Sequence, residues 1–507
     1  MHTTPLVAWD FIHVGACAWT DTRECVPCDV PRGIELRVEQ ATKSEPVLVA
    51  NKPWEDGSLG WSQVIEDEGR YRMWYSMTRY SKPLAQYLLY AESEDGLEWH
   101  KPELGLIEIH GSKANNAVRS GTGANHSHVF KCPDEPPENR YRCMYFKSWW
   151  EGEPGEEIDN DEGHRRLDLK NAAKPGEETL PFSLNGKMLG LNSPDGIHFT
   201  EIEKPVLDEW HDTHNICYYD EEKKIYRAYL RGFYGGRRAV SYCESDDFEN
   251  LPASKAIHHH SSDDLPDESL YSNCYTIYPG RPDIHLMFPA IYHQSSDTVY
   301  GQLAVSTNGL NWSRFSRQTI IPCGAAGEDD EGYVYPEPDL LRFNNEGKFR
   351  LLCHAGACYH NEWYNENLRN NHYSTFYSWA EWPEDRLAGA YAAGDGEFTI
   401  QMQTCGDRLL ANFRTEQDGW IRFELVDRLV WPPQPFPGFE GFRFEDCDVL
   451  TSDETHRPVT WSGKADLSSM KGTNVAIRVR LHRATLFSTT MYGTDEPLVQ
   501  DDPRYPV

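Results

Sequence analysis

The sequence predicts an all-β protein, a five-bladed β-propeller followed by a C-terminal β-sandwich. Three observations carry that expectation. Short runs rich in Tyr, Trp, Val and Phe alternate apolar with polar residues, Asp-Gly, Asn-Gly and Pro-Gly turns separate them, and helical periodicity is nearly missing. Tyr71-Arg-Met-Trp-Tyr75, Tyr87-Leu-Leu-Tyr-Ala91, Ile225-Tyr-Arg-Ala-Tyr-Leu230 and Ile284-His-Leu-Met-Phe288 are examples.

The strands recur as a unit. Ser93-Glu-Asp95-Gly96-Leu-Glu-Trp99, Ser193-Pro-Asp195-Gly196-Ile-His-Phe199 and Ser306-Thr-Asn308-Gly309-Leu-Asn-Trp312 repeat one phrase, and Ser245-Asp-Asp247-Phe-Glu-Asn250 is a degenerate fourth. Each places an aromatic after a tight turn, as a hairpin between outer strands would. Polar turns lie upstream at Glu66–Gly69, Asp134–Pro137, Asp220–Lys223, Pro279–Pro282 and Asn344–Gly347. Units of roughly 55 to 85 residues with about four strands each fit propeller blades. Residues 1–394 are assigned to the propeller, with segment 1–45 packing on it, and 395–507 to a sandwich and tail. The strand-like runs Gly396–Gln403, Arg408–Phe413, Gly419–Val426, Val459–Trp461 and Val475–Leu481 mark the second region. The acidic, aperiodic stretch 151–180 reads as a surface insertion, and His258-His-His260 as a surface loop.

Composition narrows the function. With 49 Lys+Arg against 80 Asp+Glu the formal charge is −31, which repels phosphate backbones and anionic lipid. Neither nucleic acid nor a membrane is expected as a partner. Apolar residues at 39% suffice for a sizeable core, yet no stretch reaches the ~18 apolar residues of a membrane span. The start, Met-His-Thr-Thr-Pro, lacks the basic and apolar regions of a secretory leader, and 13 scattered Cys suit a reducing compartment, so a cytoplasmic location is expected. Cys25-Val-Pro-Cys28 is a lone pair without the further ligands of a structural zinc, and reads as two free thiols.

Propeller geometry turns topology into a residue list, because the first residues of the innermost strands point into a central funnel. The segments opening the blades contain Trp54-Glu55, His126-Ser-His128, His211-Asp212-Thr-His214-Asn215, Glu268 with Tyr271, and Tyr335-Pro-Glu337-Pro-Asp339. A ring of carboxylates suits glycosidic cleavage, in which one acid protonates the leaving oxygen while another attacks the anomeric carbon or activates water. Crowding drives the pKa values of such groups apart. Glu55, Asp212, Glu337 and Glu268 are the catalytic candidates. Trp54, His126, His128, His214, Asn215, Arg231 and Arg237 are the substrate-binding candidates, Trp54 offering a face on which a sugar can stack. Arg231, Arg237 and Arg238 would hold a substrate anion or neutralise the carboxylate ring.

The Ser-x-Asp-Gly-x-x-Trp phrases, Trp54-Glu55 and Tyr71-Arg-Met-Trp-Tyr75 resemble the five-bladed propeller glycoside hydrolases related to families 32 and 43. Phe398, Arg408-Leu-Leu-Ala-Asn412, Pro437-Gly-Phe439, Asp446-Cys447 and Trp461-Ser-Gly463 with Asp466-Leu467 resemble the C-terminal sandwich that a bacterial group of them carries. The resemblance spans about residues 45–490. It implies a glycosidase on an oligosaccharide or small glycoside, for which a funnel pocket suits exo action, with no cofactor beyond a structural calcium that some relatives hold. By position, Glu55 takes the first-blade carboxylate role and Asp212 that of a later blade. The family 32 segments Trp-Met-Asn-Asp-Pro-Asn, Arg-Asp-Pro and Glu-Cys are absent as such, and His126 and His128 stand where the families place an Asp. Three other readings stay open: a phosphorylase of the same fold, a non-catalytic carbohydrate-binding propeller, and a metal-dependent enzyme using His126, His128, His211, Asp212 and His214. Whether copies of the chain form a homo-oligomer is left open by the sequence.

Overall fold

The computed structural model describes residues 2–79, 84–151, 157–158, 162, 166, 183–343, 346–362, 375–427 and 434–493. The stretch expected as an insertion over 151–180 lies almost wholly outside the described residues, as does the C-terminal tail.

Each repeated phrase folds into the same turn. The Ser93 hydroxyl accepts from the Asp95 and Gly96 N–H groups, and Asp95 Oδ1 accepts from the N–H groups of Leu97 and Glu98. Ser193 with Asp195, and Ser306 with Asn308, repeat these bonds. The glycines take φ of +73° to +74°, the left-handed region where a side chain is strained.

The turns also join one unit to the one before it. The first sheet holds Ser58–Asp67, Arg70–Arg79, Ala85–Ser93 and Ala117–Ser120. The second holds His128–Lys131, Tyr141–Glu151, Ser183–Ser193 and Thr200–Glu201, with Glu157–Ile158 beside Tyr141–Glu151. Trp74 of the first donates its indole N–H to the Gly196 carbonyl of the second at 2.7 Å. The third sheet, Ile216–Asp220, Ile225–Tyr234, Arg237–Ser245 and Lys255–His258, has Phe248 where the others have glycine. That ring packs edge-on against Phe130 of the second sheet, centroids 5.5 Å apart. Tyr229 of the third unit donates to the Gly309 carbonyl of the fourth, and Tyr278 of the fourth to Asp385 of the fifth. Trp379 of the fifth donates to Gly96 of the first at 2.8 Å, which closes the ring. Closure is sealed by the N-terminal strands Thr42–Lys43 and Leu48–Val49, which form the outer edge of Thr375–Pro383 in the fifth unit.

The fourth unit is split. Phe288-Pro289 and Gln302-Leu303 interrupt its strands, because proline cannot donate to a ladder. Tyr275–Tyr278, Arg281–Met287 and Ala304–Ser306 form one sheet, whereas Glu268–Ser272, Ala290–His293 and Thr298–Gly301 join the fifth unit through a parallel bridge from Val299 to Tyr333. This brings Tyr292, Tyr333 and Tyr335 into one cluster, with Trp61 and Tyr271 against it.

The C-terminal region is built on three long strands, Ala388–Thr404, Arg408–Val426 and Asn474–Tyr492. Register shifts at Ala392/Asp395 and Thr415/Trp420 fall at one level, opposite His482–Ala484, where the strands bend. Strand Ala388–Thr404 runs across the expected boundary at 394/395. His2–Pro5 pairs with Asn474–Tyr492 and Glu35–Val38 with Ala388–Tyr391, so the N-terminal segment is partly a piece of this sheet. One apolar core runs from Tyr278, Phe349 and Trp382 of the propeller to Phe398, Phe423 and Leu481. No described helix is long and apolar enough to cross a membrane. All thirteen cysteines are free thiols, Cys25–Cys28 forming a strand paired with Ala16–Trp19. His258, expected in a surface loop, instead ends the strand Lys255–His258 and is buried beside Trp312.

The turns make a paired test. A Cβ on Gly196 would meet the Trp74 ring at 2.7 Å, whereas one on Gly69, also at positive φ, meets open space. Gly69→Ala should cost about 1 kcal/mol of backbone strain, and Gly196→Ala about 2 kcal/mol or more because Trp74 must also move. Urea unfolding of both variants checks this, and equal losses would refute the inter-unit lock.

Candidate active site

Residues on or beside the inner strands of the five units converge at one place. The first unit supplies Trp61 and Ser62, the second His128, the third His214, the fourth Tyr271, and the fifth Tyr335, Glu337 and His354. Glu337 lies between two prolines, which hold the chain extended as it leaves the strand Tyr333–Pro336.

Glu337 is the centre of the site. It is fully buried; His354 Nδ1 lies 2.5 Å from Oε1, while the Ser62 N–H donates to Oε2 at 3.1 Å and His214 Nδ1 lies 3.3 Å from it. Burial pushes the Glu337 carboxyl well above the usual range, against a smaller opposing effect of the Ser62 N–H. Burial likewise pushes His354 down to about 3 and His214 well below its ordinary value. These contacts are satisfied with Glu337 protonated, donating from Oε1 to His354 Nδ1 while Oε2 accepts from Ser62 and from His214 Nδ1–H. Burial favours this over an ionised carboxylate accepting from both rings.

An aromatic wall surrounds this acid. Trp61 stacks on the His214 ring at 5.3 Å and meets Tyr335 edge-on at 5.1 Å. Tyr271 lies beside Trp61, beneath the guanidinium groups of Arg231 at 4.3 Å and Arg238 at 5.1 Å. His360 bonds the Tyr335 hydroxyl at 2.6 Å and faces Tyr271 and Tyr292. Both amide atoms of Gln63, His128 Nε2, Thr213 Oγ1, His214 Nε2 and Ser272 Oγ are buried without a hydrogen-bond partner among the described residues. Buried polar atoms are normally paired, so those that line an opening are groups available to a polar ligand. A narrow crevice lined by Thr213, His214, Arg231, Tyr271, Ser272 and Asn273 opens beside them.

The other expected site residues divide. Asp212 is at the rim, its side chain 43% exposed, 3.2 Å from Arg231 Nη1. It faces His126, which burial holds at about 4 and which lies over the Phe146 ring. Glu55 is elsewhere: the Asn51 and Lys52 N–H groups, the Tyr75 hydroxyl and Lys101 Nζ fill its carboxylate. Trp54 donates to Asn116 and packs into the first-unit core. Glu268 accepts from the Tyr300 hydroxyl and the Leu265 N–H. Arg237 donates to the Leu265 and Glu268 carbonyls. Asn215 gives all its polar atoms to the backbone, donating to the His211 and Thr213 carbonyls and accepting from the Arg231 N–H. His211 is held between the Arg231 carbonyl and Glu209. No group of three or more metal-ligating side chains suited to an ion occurs among the described residues.

Sequence reasoning did not single out Trp61 or His354. His354 had a signal, a lone polar residue inside the apolar run Leu351-Leu-Cys-His-Ala355. Trp61 had a weaker one, its place near the start of an inner strand.

No family model and no curated protein matches the chain. Among solved structures it is similar to an N-acetylgalactosamine deacetylase from F. plautii in complex with blood group B trisaccharide. That match has 11% identity and a TM-score of 0.44, covering 69% of this chain and 96% of the other. It is similar to the Bombyx mori GH32 β-fructofuranosidase, with 10% identity and a TM-score of 0.38, over 88% of this chain and 94% of the other. An α-L-arabinofuranosidase from Podospora anserina in complex with cellotriose matches at 10% identity and a TM-score of 0.41, over 68% and 97%.

The buried histidines predict a pH dependence. Burial lowers His128 and His354 to about 3, and His126 and His360 to about 4, from an ordinary 6.5. The unfolded chain therefore binds more protons, so the stability these groups confer is full above about pH 6.5 and is lost as pH falls toward 4. Glu337 and Asp339, the latter pushed up by burial to about 7, act in the opposite sense, but His2, His214, His258 and His285 are lowered too, so the histidines outnumber them. The urea midpoint should fall stepwise from pH 7 to 6 to 5, and a constant midpoint would contradict the burial of these rings.

Proposed function

We propose that the protein cleaves a glycosidic bond at this axial site, Glu337 acting as the general acid and Asp212 as the second carboxylate. The observation that carries the reading is a fully buried Glu337, whose burial favours the protonated acid, beside the unpartnered His214 Nε2 and the aromatic faces of Trp61 and Tyr271. A protonated acid is what a leaving glycosidic oxygen needs, and flat aromatic faces suit a sugar ring. In this scheme Glu337 passes its proton to that oxygen as the C–O bond breaks, and the freed sugar leaves as an alcohol. Asp212, its charge offset by Arg231, either attacks the anomeric carbon or takes a proton from the attacking water. An enclosed axial site suits action at a chain end. Glu55, ion-paired with Lys101, and Glu268, held by Tyr300 and the Leu265 N–H, do not join the contacts around Glu337 and have no part in this scheme, while His128 and His214 face the substrate.

The enclosure of Glu337 and the engagement of Glu55 and Glu268 elsewhere also favour a second reading, a carbohydrate-binding propeller without turnover. One experiment separates the two. Short oligosaccharides of varied linkage are offered to wild type, Glu337→Gln and Asp212→Asn, with and without inorganic phosphate. Cleavage without phosphate is expected, falling about 100- to 10,000-fold in Glu337→Gln while sugar binding persists. Turnover unchanged in both variants would overturn the assignment, and binding without turnover in wild type would establish the second reading.

A further inference from the structure

We infer that the ligand of the axial site presents an oxyanion beside its sugar ring, and that Arg238 is the group that holds it. The sugar in this inference rests on the proposed function; the oxyanion rests on charge pairing alone. Phe233 lies opposite Arg238 and Arg231 opposite Val240 in adjacent strands, so the two arginines share one face of the third sheet. Both guanidinium groups sit over the Tyr271 ring, and Arg238 also lies 5.8 Å from the Tyr292 centroid.

The two arginines differ in what they hold. Arg231 gives Nη1 to Asp212 at 3.2 Å and Nη2 to the Tyr271 carbonyl at 2.7 Å. Among the described residues Arg238 bonds only the Ser269 hydroxyl, at 3.5 Å, and the Nε of both arginines is buried and unpartnered. Arg238 has no carboxylate partner among the described residues, although the chain carries 80 acidic against 49 basic residues. Arginines buried more deeply than the half-buried Arg238 are each paired: Arg72 with Asp67, Arg227 with Asp220, Arg314 with Asp264 and Arg350 with Glu346. Asp212 offsets Arg231, which leaves Arg238 as the unmatched cation of the site. A guanidinium fork fits a carboxylate or phosphate through two parallel bonds, and an aromatic plane beneath it keeps it oriented.

Two sources supply such an oxyanion, the carboxylate of an acidic sugar or inorganic phosphate bound beside a neutral one. Calorimetric titration distinguishes them, using nitrophenyl glucuronide against glucoside, nitrophenyl galacturonide against galactoside, and phosphate with and without each neutral glycoside. The proteins are wild type, Arg238→Gln and Arg238→Lys, each checked for an unchanged unfolding midpoint. Binding about tenfold tighter for a uronide than for its neutral counterpart identifies the sugar carboxylate, and phosphate-dependent binding of a neutral glycoside identifies phosphate. In either case Arg238→Gln should abolish the preference and Arg238→Lys restore part of it. The inference is overturned if acidic and neutral glycosides bind alike without any effect of phosphate, if neither a uronide nor phosphate binds, or if the preference survives Arg238→Gln. Glu337-dependent cleavage indifferent to Arg238→Gln would leave the proposed function standing and remove the oxyanion. An oxyanion preference without cleavage would do the reverse.

Discussion

The carbonyl that follows each left-handed turn is the contact on which the rest of this structure depends. A sheet of three or four strands cannot bury both faces alone, so each must be held against its neighbour at a defined angle. Trp74 to Gly196 and Trp379 to Gly96 do this with a directional bond inside an apolar contact, and Tyr229 to Gly309 repeats it with a hydroxyl. Where glycine is missing, Phe248 substitutes ring packing for the bond. The angle matters because the site is assembled across these joints. The Ser62 N–H that donates to Glu337 crosses from the first unit to the fifth, the same joint that Trp379 and the N-terminal strands close.

Glu337 shows what that closure does chemically. An ionised carboxylate removed from water with no cation beside it costs several kcal/mol, more than a single backbone donor returns. Its nearest partners are two histidines that burial has itself made neutral, so the cheaper state keeps the proton on the acid. The split fourth unit completes the enclosure. By breaking at Phe288-Pro289 it lets Glu268–Ser272 and Ala290–His293 join the fifth sheet and carries Tyr271 and Tyr292 toward Tyr335.

Features that depend on neighbouring residues could be read from the sequence, and those that depend on distant partners could not. The strand runs and the Ser-x-Asp-Gly turns are local, and their hydrogen bonds fall within a few residues of one another. The N-terminal strands that finish the fifth unit pair with residues more than 300 positions away, and no pattern announces it. The same distinction runs through the site. The rule that inner-strand starts face the funnel named Glu337, His128 and His214, which the fold brings close together, but it treats every acid near such a strand alike. Glu55 obeyed the rule and still belongs elsewhere, because Lys101, 46 residues on, and Tyr75 from the neighbouring strand fill its carboxylate. Asn215 reads as a ligand by type and acts on the backbone by geometry.

Partnership, rather than residue type, therefore separates framework from site in this chain. With a formal charge of −31, acids are too common to be informative and most enclosed cations are claimed by one. Arg72 answers Asp67, Arg314 answers Asp264, and Lys101 answers Glu55, each joining segments that must stay together. Around Glu337 the accounting differs. His128, His214 and Ser272 keep polar atoms unanswered, and Arg238, over the Tyr271 ring, keeps a charge without a carboxylate among the described residues. Each carries a desolvation cost that the fold itself does not recover. Buried polar atoms are left unanswered elsewhere in the chain too, but here they lie beside a crevice, where a polar and charged ligand completes them when it binds.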